Sequence, residues 1–198
     1  MIAVSICEIV NSSFIGVEKR IIKMQKGLVH IYCGEGKGKT TCAVGLCVRC
    51  AGYNGKVLWF QFLKKDTSGE RKSLEKLDSV ELISGYDKMK FTFKMTDCEK
   101  ADAAKFFTDM LYNIEEKIMT KQYDMLVLDE VIGAITAGMI KEEDVIRLLK
   151  NKPEGLEIVM TGRSPSEKLC LYADYISKME KHKHPYDKGI MARKMIEY

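Results

Sequence analysis

The chain has 198 residues, 46% apolar and 30% charged, with three prolines and no evident repeat or low-complexity tract, which suits one globular domain with a sizeable core. A net charge of +4 is too mild to argue for a nucleic-acid binder, and no apolar run approaches the ~20 residues that a membrane-spanning helix needs. Seven cysteines, an odd number scattered from Cys7 to Cys170, read as reduced thiols of a cytoplasmic protein rather than as a disulfide framework.

Residues 1–23 fit poorly with the remainder of the chain. Met1 to Val10 is apolar but contains Glu8 and lacks a basic leader, so it makes a weak signal peptide. The segment is either a short extra element lying over the site or an N-terminal extension that contributes little, and 24–198 reads as a single domain beginning at Met24-Gln25-Lys26-Gly27. A short apolar run, Leu28 to Tyr32, then leads into Cys33-Gly34-Glu35-Gly36-Lys37-Gly38-Lys39-Thr40-Thr41, and a helix-like stretch continues from Cys42 to Cys50. Strand, glycine loop and helix in that order make a phosphate-binding loop. Glycines let successive backbone N–H groups curl round an anion, Lys39 reaches the distal phosphates, and the Thr40 hydroxyl is placed to ligate Mg2+ at the positive end of the helix. The strict pattern asks for glycine at Cys33; Gly34-x-Gly36-x-Gly38-Lys39-Thr40 directly after a strand is what remains of it. Cys47-Val48-Arg49-Cys50 has C-x-x-C spacing but falls inside the helix with no second pair at metal-site spacing, so both thiols are expected to pack.

Gly52 to Lys56 is a turn, and Val57-Leu58-Trp59-Phe60-Gln61-Phe62 is a second strand that places Gln61 at the end where open parallel sheets bind ligands. A polar loop from Lys64 to Glu70 leads to a short helix, Arg71 to Leu77, and a third strand, Val80 to Ser84. After a loop carrying Phe91-Thr92-Phe93, Asp97 is expected to cap a long helix from Cys98 to about Thr120, with Phe106, Phe107, Met110, Leu111, Ile114 and Ile118 at helical spacing. Tyr123 to Glu130 runs four apolar residues into two carboxylates, as a buried parallel strand does. Its acidic end lies beside the phosphate loop, where Asp129 or Glu130 can hold Mg2+ or its water shell. Ile132 to Ile140, interrupted by Gly133 and Gly138, reads as a broken helix, and Glu142 to Lys150 as a clearer one stopped by Asn151 and Pro153. Leu156 to Met160 is a fifth strand ending in Thr161-Gly162-Arg163, which sets an arginine at the same sheet edge to neutralise phosphate charge. Ser164-Pro165-Ser166-Glu167 has capping-box spacing and opens another helix before a sixth strand, Tyr175 to Met179. The tail from Lys181 to Gly189 is basic, and its two histidines have no third ligand nearby. The whole implies an α/β, P-loop NTPase-like (RecA-like) fold, a mainly parallel six-stranded sheet flanked by helices.

Taken in order, Gly34-x-Gly36-Lys37-Gly38-Lys39-Thr40-Thr41, Gln61-Phe62-x-Lys64, Phe91-Thr92-Phe93, Leu128-Asp129-Glu130, Thr161-Gly162-Arg163 and Lys183-His184-Pro185-Tyr186-Asp187-Lys188-Gly189-Ile190 resemble the phosphate-loop ATP:corrinoid adenosyltransferases, over about Met24 to Tyr198. The resemblance implies transfer of the 5′-deoxyadenosyl group of ATP to a Co(I) corrinoid, with triphosphate as the leaving group. It implies that Gly34, Glu35, Gly36, Lys37, Gly38, Lys39, Thr40, Thr41 and Arg163 surround the phosphates and that Arg49 approaches the nucleoside. Lys39, Arg163 and Glu130 would carry the chemistry, with Thr40 and Glu130 on Mg2+, Asp129 behind them, and Phe91 and Phe93 facing the corrin ring. A homodimer and a reduced flavoprotein as electron donor come with the same resemblance, while the mild charge and the lack of a long apolar run are the grounds for expecting no nucleic-acid or membrane partner. Two positions depart from the family: the second aromatic, here Phe93, is commonly Trp, and Glu35 stands where Asn is frequent. A carboxylate at that point weakens phosphate binding unless it faces solvent or a cation. The competing readings are a P-loop kinase or NTPase, which transfers or releases phosphate, and a nucleotide-dependent binding module with no turnover.

Overall fold

The computed structural model describes residues 26–90 and 92–197. The expectations for residues 1–23 and for Phe91 therefore lie outside the described residues. Six strands, β1 (Val29–Cys33), β2 (Val57–Gln61), β3 (Val80–Leu82), β4 (Met125–Asp129), β5 (Glu157–Thr161) and β6 (Tyr175–Lys178), form one sheet in the order β3-β2-β4-β5-β1-β6. Every pairing is parallel, so all six strands deliver their C-terminal ends to one edge. The register sets Gln61 opposite Asp129 and Tyr32 opposite Thr161, so the polar last residues of β2, β4 and β5 lie at one edge.

Strand composition explains the layers. Parallel strands covered on both faces must be apolar throughout, and β2 and β4 are buried at every residue. Their alternate side chains feed two cores. Leu58, Phe60, Leu126, Leu128, Ile158 and Met160 pack with α3 (Asp97–Thr120), α4 (Val131–Thr136) and α5 (Glu142–Asn151). Val57, Trp59, Met125, Val127 and Val159 pack with α1 (Lys39–Gly52) and α2 (Gly69–Leu74) on the opposite face. Each fully buried aliphatic or Phe side chain contributes roughly 1.5–3 kcal/mol relative to its exposed state, and Phe60, Phe62 and Phe107 add edge and tilted ring contacts with centroids 4.7–6.3 Å apart. Of the long α3, Phe107, Leu111, Ile114 and Ile118 are buried, while Phe106 and Met110 pack partly buried at its flank.

Two caps differ from the expected ones. Thr96, not Asp97, caps α3: its side chain accepts from the Glu99 N–H while Glu99 reaches back to the Thr96 N–H, a full capping box that leaves Asp97 inside the first turn. Ser166, not Ser164, caps α6 (Glu167–Cys170), accepting from the Leu169 N–H, because Pro165 keeps the preceding residue extended and delays the helix. The broken helix resolves into α4 and a turn at Gly138, whose φ is +68°.

Candidate active site

Four strand ends build the site. After β1 the chain turns at Gly34 (φ +103°), whose N–H donates to the Arg163 carbonyl at 2.7 Å; an added Cβ there would stand 2.3 Å from the Met179 carbonyl oxygen. The loop is thus clamped between the segments that come after β5 and β6, and only glycine fits. Gly38 (φ +116°) makes the second sharp turn and opens α1, so the N–H groups of the helix start face the loop. The Lys39 ammonium folds back on the carbonyls of Gly34 and Gly36 at 2.7 and 2.8 Å. Its pKa is lowered, chiefly by burial, with Arg163 adding to the effect and Glu130 and Glu35 opposing it. Lys37 and Thr41 are exposed at the mouth.

The strand end after β4 supplies two carboxylates in different states. Asp129 is fully buried and accepts four hydrogen bonds: Thr40 (2.9 Å) and Thr161 (2.7 Å) on Oδ1, Gln61 (3.1 Å) and Lys64 (2.7 Å) on Oδ2. Burial alone would raise its pKa; the Lys64 charge and the hydrogen bonds from Lys64, Thr161 and Gln61 outweigh it and hold the carboxyl below the usual Asp range. Glu130 comes next in left-handed backbone, φ +61°, with its N–H on the Thr161 hydroxyl at 2.8 Å. Burial, then the neighbouring Asp129 charge, pushes its carboxyl up. An added Cβ on Gly133 would meet Glu130 Oε1 at 2.5 Å, so α4 leaves room for that carboxylate through a glycine.

Arg163 leaves β5 at the same edge and pairs with Glu35 across the loop at 2.7 Å, both side chains more than half exposed. Glu35 therefore faces a cation, the circumstance under which a carboxylate in a phosphate loop is tolerable. A cavity of about 470 Å³ opens beside Thr40 and Thr41, walled by Val44, Lys64, Glu70, Ile196 and Glu197. The C-terminal segment Met195 to Glu197 on this wall has no motif that reveals it in the sequence.

Residues 25–198 match the family model for the ATP:corrinoid adenosyltransferases BtuR/CobO/CobP. This chain belongs to the ATP:corrinoid adenosyltransferase family. The corrinoid adenosyltransferase of Escherichia coli (strain K12) is 28% identical over 187 residues, 92% of each chain. That of Salmonella typhimurium (strain LT2) is 29% identical over the same shares, and that of Sinorhizobium sp is 31% identical over 88% of this chain and 81% of its own. A solved KaiC-like protein from Pyrococcus horikoshii OT3 superposes with a TM-score of 0.53 at 16% identity, covering 80% of this chain and 75% of its own, a likeness of fold alone. The adenosyltransferase is thus an enzyme that moves an adenosyl group from ATP to a corrinoid, and the kinase reading is not favoured.

The remaining expected positions of the adenosyltransferase scatter more widely. Arg49 is exposed in the last turn of α1, ten residues from Lys39 and so about 15 Å along the helix axis; its charge acts on the Tyr32 phenol. Phe93 sits in the one-turn helix Thr92–Lys94 after β3 and is 79% exposed, with the Lys94 ammonium 5.8 Å from its ring centre. A loop residue serving the core would be buried, as Met89 and Met95 on either side are. Cys47 is buried and its thiol pushed up to about 12, and Cys50 is pushed up to about 11, burial being the first cause for both. Thiols that stay protonated are packing groups. The roles of Gln61, Lys64 and Thr161 around Asp129 were not separable in the sequence, because their motifs fix neighbourhood and not which polar atom meets which.

Proposed function

We propose that the adenosyltransferase binds ATP with its triphosphate against residues 34 to 41 and releases that triphosphate when the C5′ carbon passes to Co(I). The observation that supports this reading is the junction of the loop, Thr40 and the Asp129–Glu130 strand end at one sheet edge, in a chain of this family. Co(I) is itself a strong nucleophile: its electron pair forms the Co–C bond, the C5′–O bond breaks, and its electrons leave with triphosphate. No side-chain base is needed, so the protein's contribution is positioning and charge stabilisation. Lys37, Lys39, Arg163 and the N–H groups from Gly34 to Thr41 hold the leaving group; Lys39 turns from the Gly34 and Gly36 carbonyls to the phosphates, and Arg163 is released from Glu35.

The oxygen donors fit Mg2+. Thr40 offers a hydroxyl and Glu130 a carboxylate with no side-chain donor on it among the described hydrogen bonds, whereas Asp129 is filled by four donors and serves from behind. Mg2+ takes only one or two protein oxygens beside phosphate, the number that Thr40 and Glu130 offer. Bound there, it would neutralise charge on the departing triphosphate.

Arg49 serves the nucleoside end, and Phe91 and Phe93 pack on the corrin ring, excluding water and a lower axial ligand from cobalt. A reduced flavoprotein supplies the electron, residues 24–198 act as one domain, and the enzyme works as a cytoplasmic homodimer. Among the described residues no helix is long and apolar enough to cross a membrane. Mixing chemically reduced cobalamin, ATP, Mg2+ and protein without oxygen tests the reading. Loss of Co(I) absorbance with a light-sensitive alkylcobalt spectrum and free triphosphate is expected; phosphate release without alkylation would overturn it.

A further inference from the structure

The cation nearest the Thr40 hydroxyl belongs to the chain itself. Lys64 Nζ donates to Thr40 Oγ1 at 3.0 Å and to Asp129 Oδ2 at 2.7 Å, while Thr40 Oγ1 donates to Asp129 Oδ1 at 2.9 Å, closing a ring of ammonium, hydroxyl and carboxylate. One lone pair of Thr40 Oγ1 accepts from Lys64, and a divalent ion on the other would stand close beside the ammonium, where the two like charges repel. The backbone goes out of its way to put the ammonium there. Leu63, a bulky residue immediately before it, adopts left-handed backbone with φ +54° and turns the chain at the end of β2 back toward the site. Left-handed Leu is uncommon and is held only where the surroundings impose it.

A second acceptor stands ready. Glu70 Oε1, on the wall of the same cavity, is 3.7 Å from Lys64 Nζ, and the Gln61 amide donates to both Glu70 (3.0 Å) and Asp129 (3.1 Å), tying the two carboxylates together. A shift of the ammonium by about the difference between these contacts exchanges its partner without stranding a charge.

We propose that Lys64 is a built-in cation that guards the metal position at Thr40, in front of Asp129, and that the ion arriving with ATP displaces it toward Glu70. Lys64 is thereby a positioning residue: it keeps buried Asp129 neutralised and makes metal binding conditional on the nucleotide. The inference rests on Thr40 being a metal ligand, as proposed above.

The test is Mn2+ binding without nucleotide, read by the electron spin resonance of the free ion. The parent protein and Lys64→Arg are expected to bind Mn2+ only weakly, and Lys64→Met and Lys64→Gln to gain one site with an affinity at least about tenfold higher. Parent protein that binds Mn2+ as tightly as the two uncharged variants overturns the proposal, as does a failure of both to gain affinity. Glu70→Gln covers the case in which the uncharged variants do not fold. It removes the receiving carboxylate and is expected to raise the Mg2+ concentration for half-maximal ATP binding roughly tenfold; an unchanged midpoint sinks the displacement. Adenosylation of Co(I) cobalamin by the parent, alongside a negative Mn2+ result, removes this inference and leaves the proposed function standing.

Discussion

Replacing Thr161 by Val tests how the two carboxylates are held. Thr161 is fully buried, and its hydroxyl donates to Asp129 Oδ1 at 2.7 Å while accepting the Glu130 N–H at 2.8 Å. Valine keeps the shape and loses both bonds. The lost bond to a charged acceptor is worth about 1.5–3 kcal/mol and the stranded N–H costs about 1–3 kcal/mol; the added buried methyl returns about 0.8 kcal/mol. The expected net loss is about 2–5 kcal/mol, or roughly 4–20 °C in Tm for a chain of this size. Urea unfolding followed by circular dichroism, with equal m-values required of both proteins, measures it. Thr161→Ser, which keeps the hydroxyl and loses only a methyl, is expected to cost about 1 kcal/mol. A Thr161→Val loss below about 1 kcal/mol would refute the bridging role and with it the account of why Asp129 stays ionised.

Gly133→Ala is expected to leave Tm nearly unchanged, since alanine gains about 0.5–1 kcal/mol in a helix. Its Cβ would meet Glu130 Oε1 at 2.5 Å and drive that carboxylate aside, so adenosylation should fall by roughly 10²-fold; unimpaired turnover would remove Glu130 from the reaction. Glu35→Asn frees Arg163 from a pair that is more than half exposed on both sides. Stability should hold within about 0.5 kcal/mol, while ATP binding by calorimetry tightens roughly 1.5- to 5-fold; weaker binding contradicts the pairing argument. Burial and Asp129 hold the Glu130 carboxyl above its usual range, so the stability this group contributes is present at low pH and lost as pH rises through the raised value. Glu130→Gln should therefore raise Tm at pH 7 while lowering activity, and a lower Tm would reverse the reasoning. Asp129, held below the usual range, contributes stability above that range that is lost as pH falls through its lowered value, and Asp129→Asn should flatten the acid side of the stability profile.

The elements were legible where the chain obeys one period at a time. The apolar runs at β2 and β4, the glycine loop before α1 and the helical spacing in α3 each specify their state locally, and the parallel order arises from strands alternating with helices. Caps were misjudged by one or two positions because Thr96 and Ser166 compete with equally good capping residues nearby, and only the hydrogen bond chooses between them. The pairings of Lys64 were not legible at all. Nothing local marks Leu63 for left-handed backbone, and the partners of Lys64, Asp129 at the end of β4 and Thr40 in α1, are distant in the chain.

The division of labour between the adjacent carboxylates comes from this geometry rather than from their order in the motif. Asp129 ends β4 in register with Gln61 and faces the buried donors, so its oxygens are saturated and its charge is locked. Glu130 turns through left-handed backbone into α4, which carries its side chain past Gly133 to a place where burial resists its charge. A carboxylate that is costly to ionise alone is the one that gains most from an incoming cation, and one already paired gains least. The same logic runs through the cations in the proposed reading, since phosphate takes the place of the protein oxygens that hold Lys39 and Arg163, and the ion takes the place of Lys64 at Thr40. On the proposed function, the site is built charged and internally compensated, so ATP exchanges partners that already exist instead of creating charges in a buried cleft.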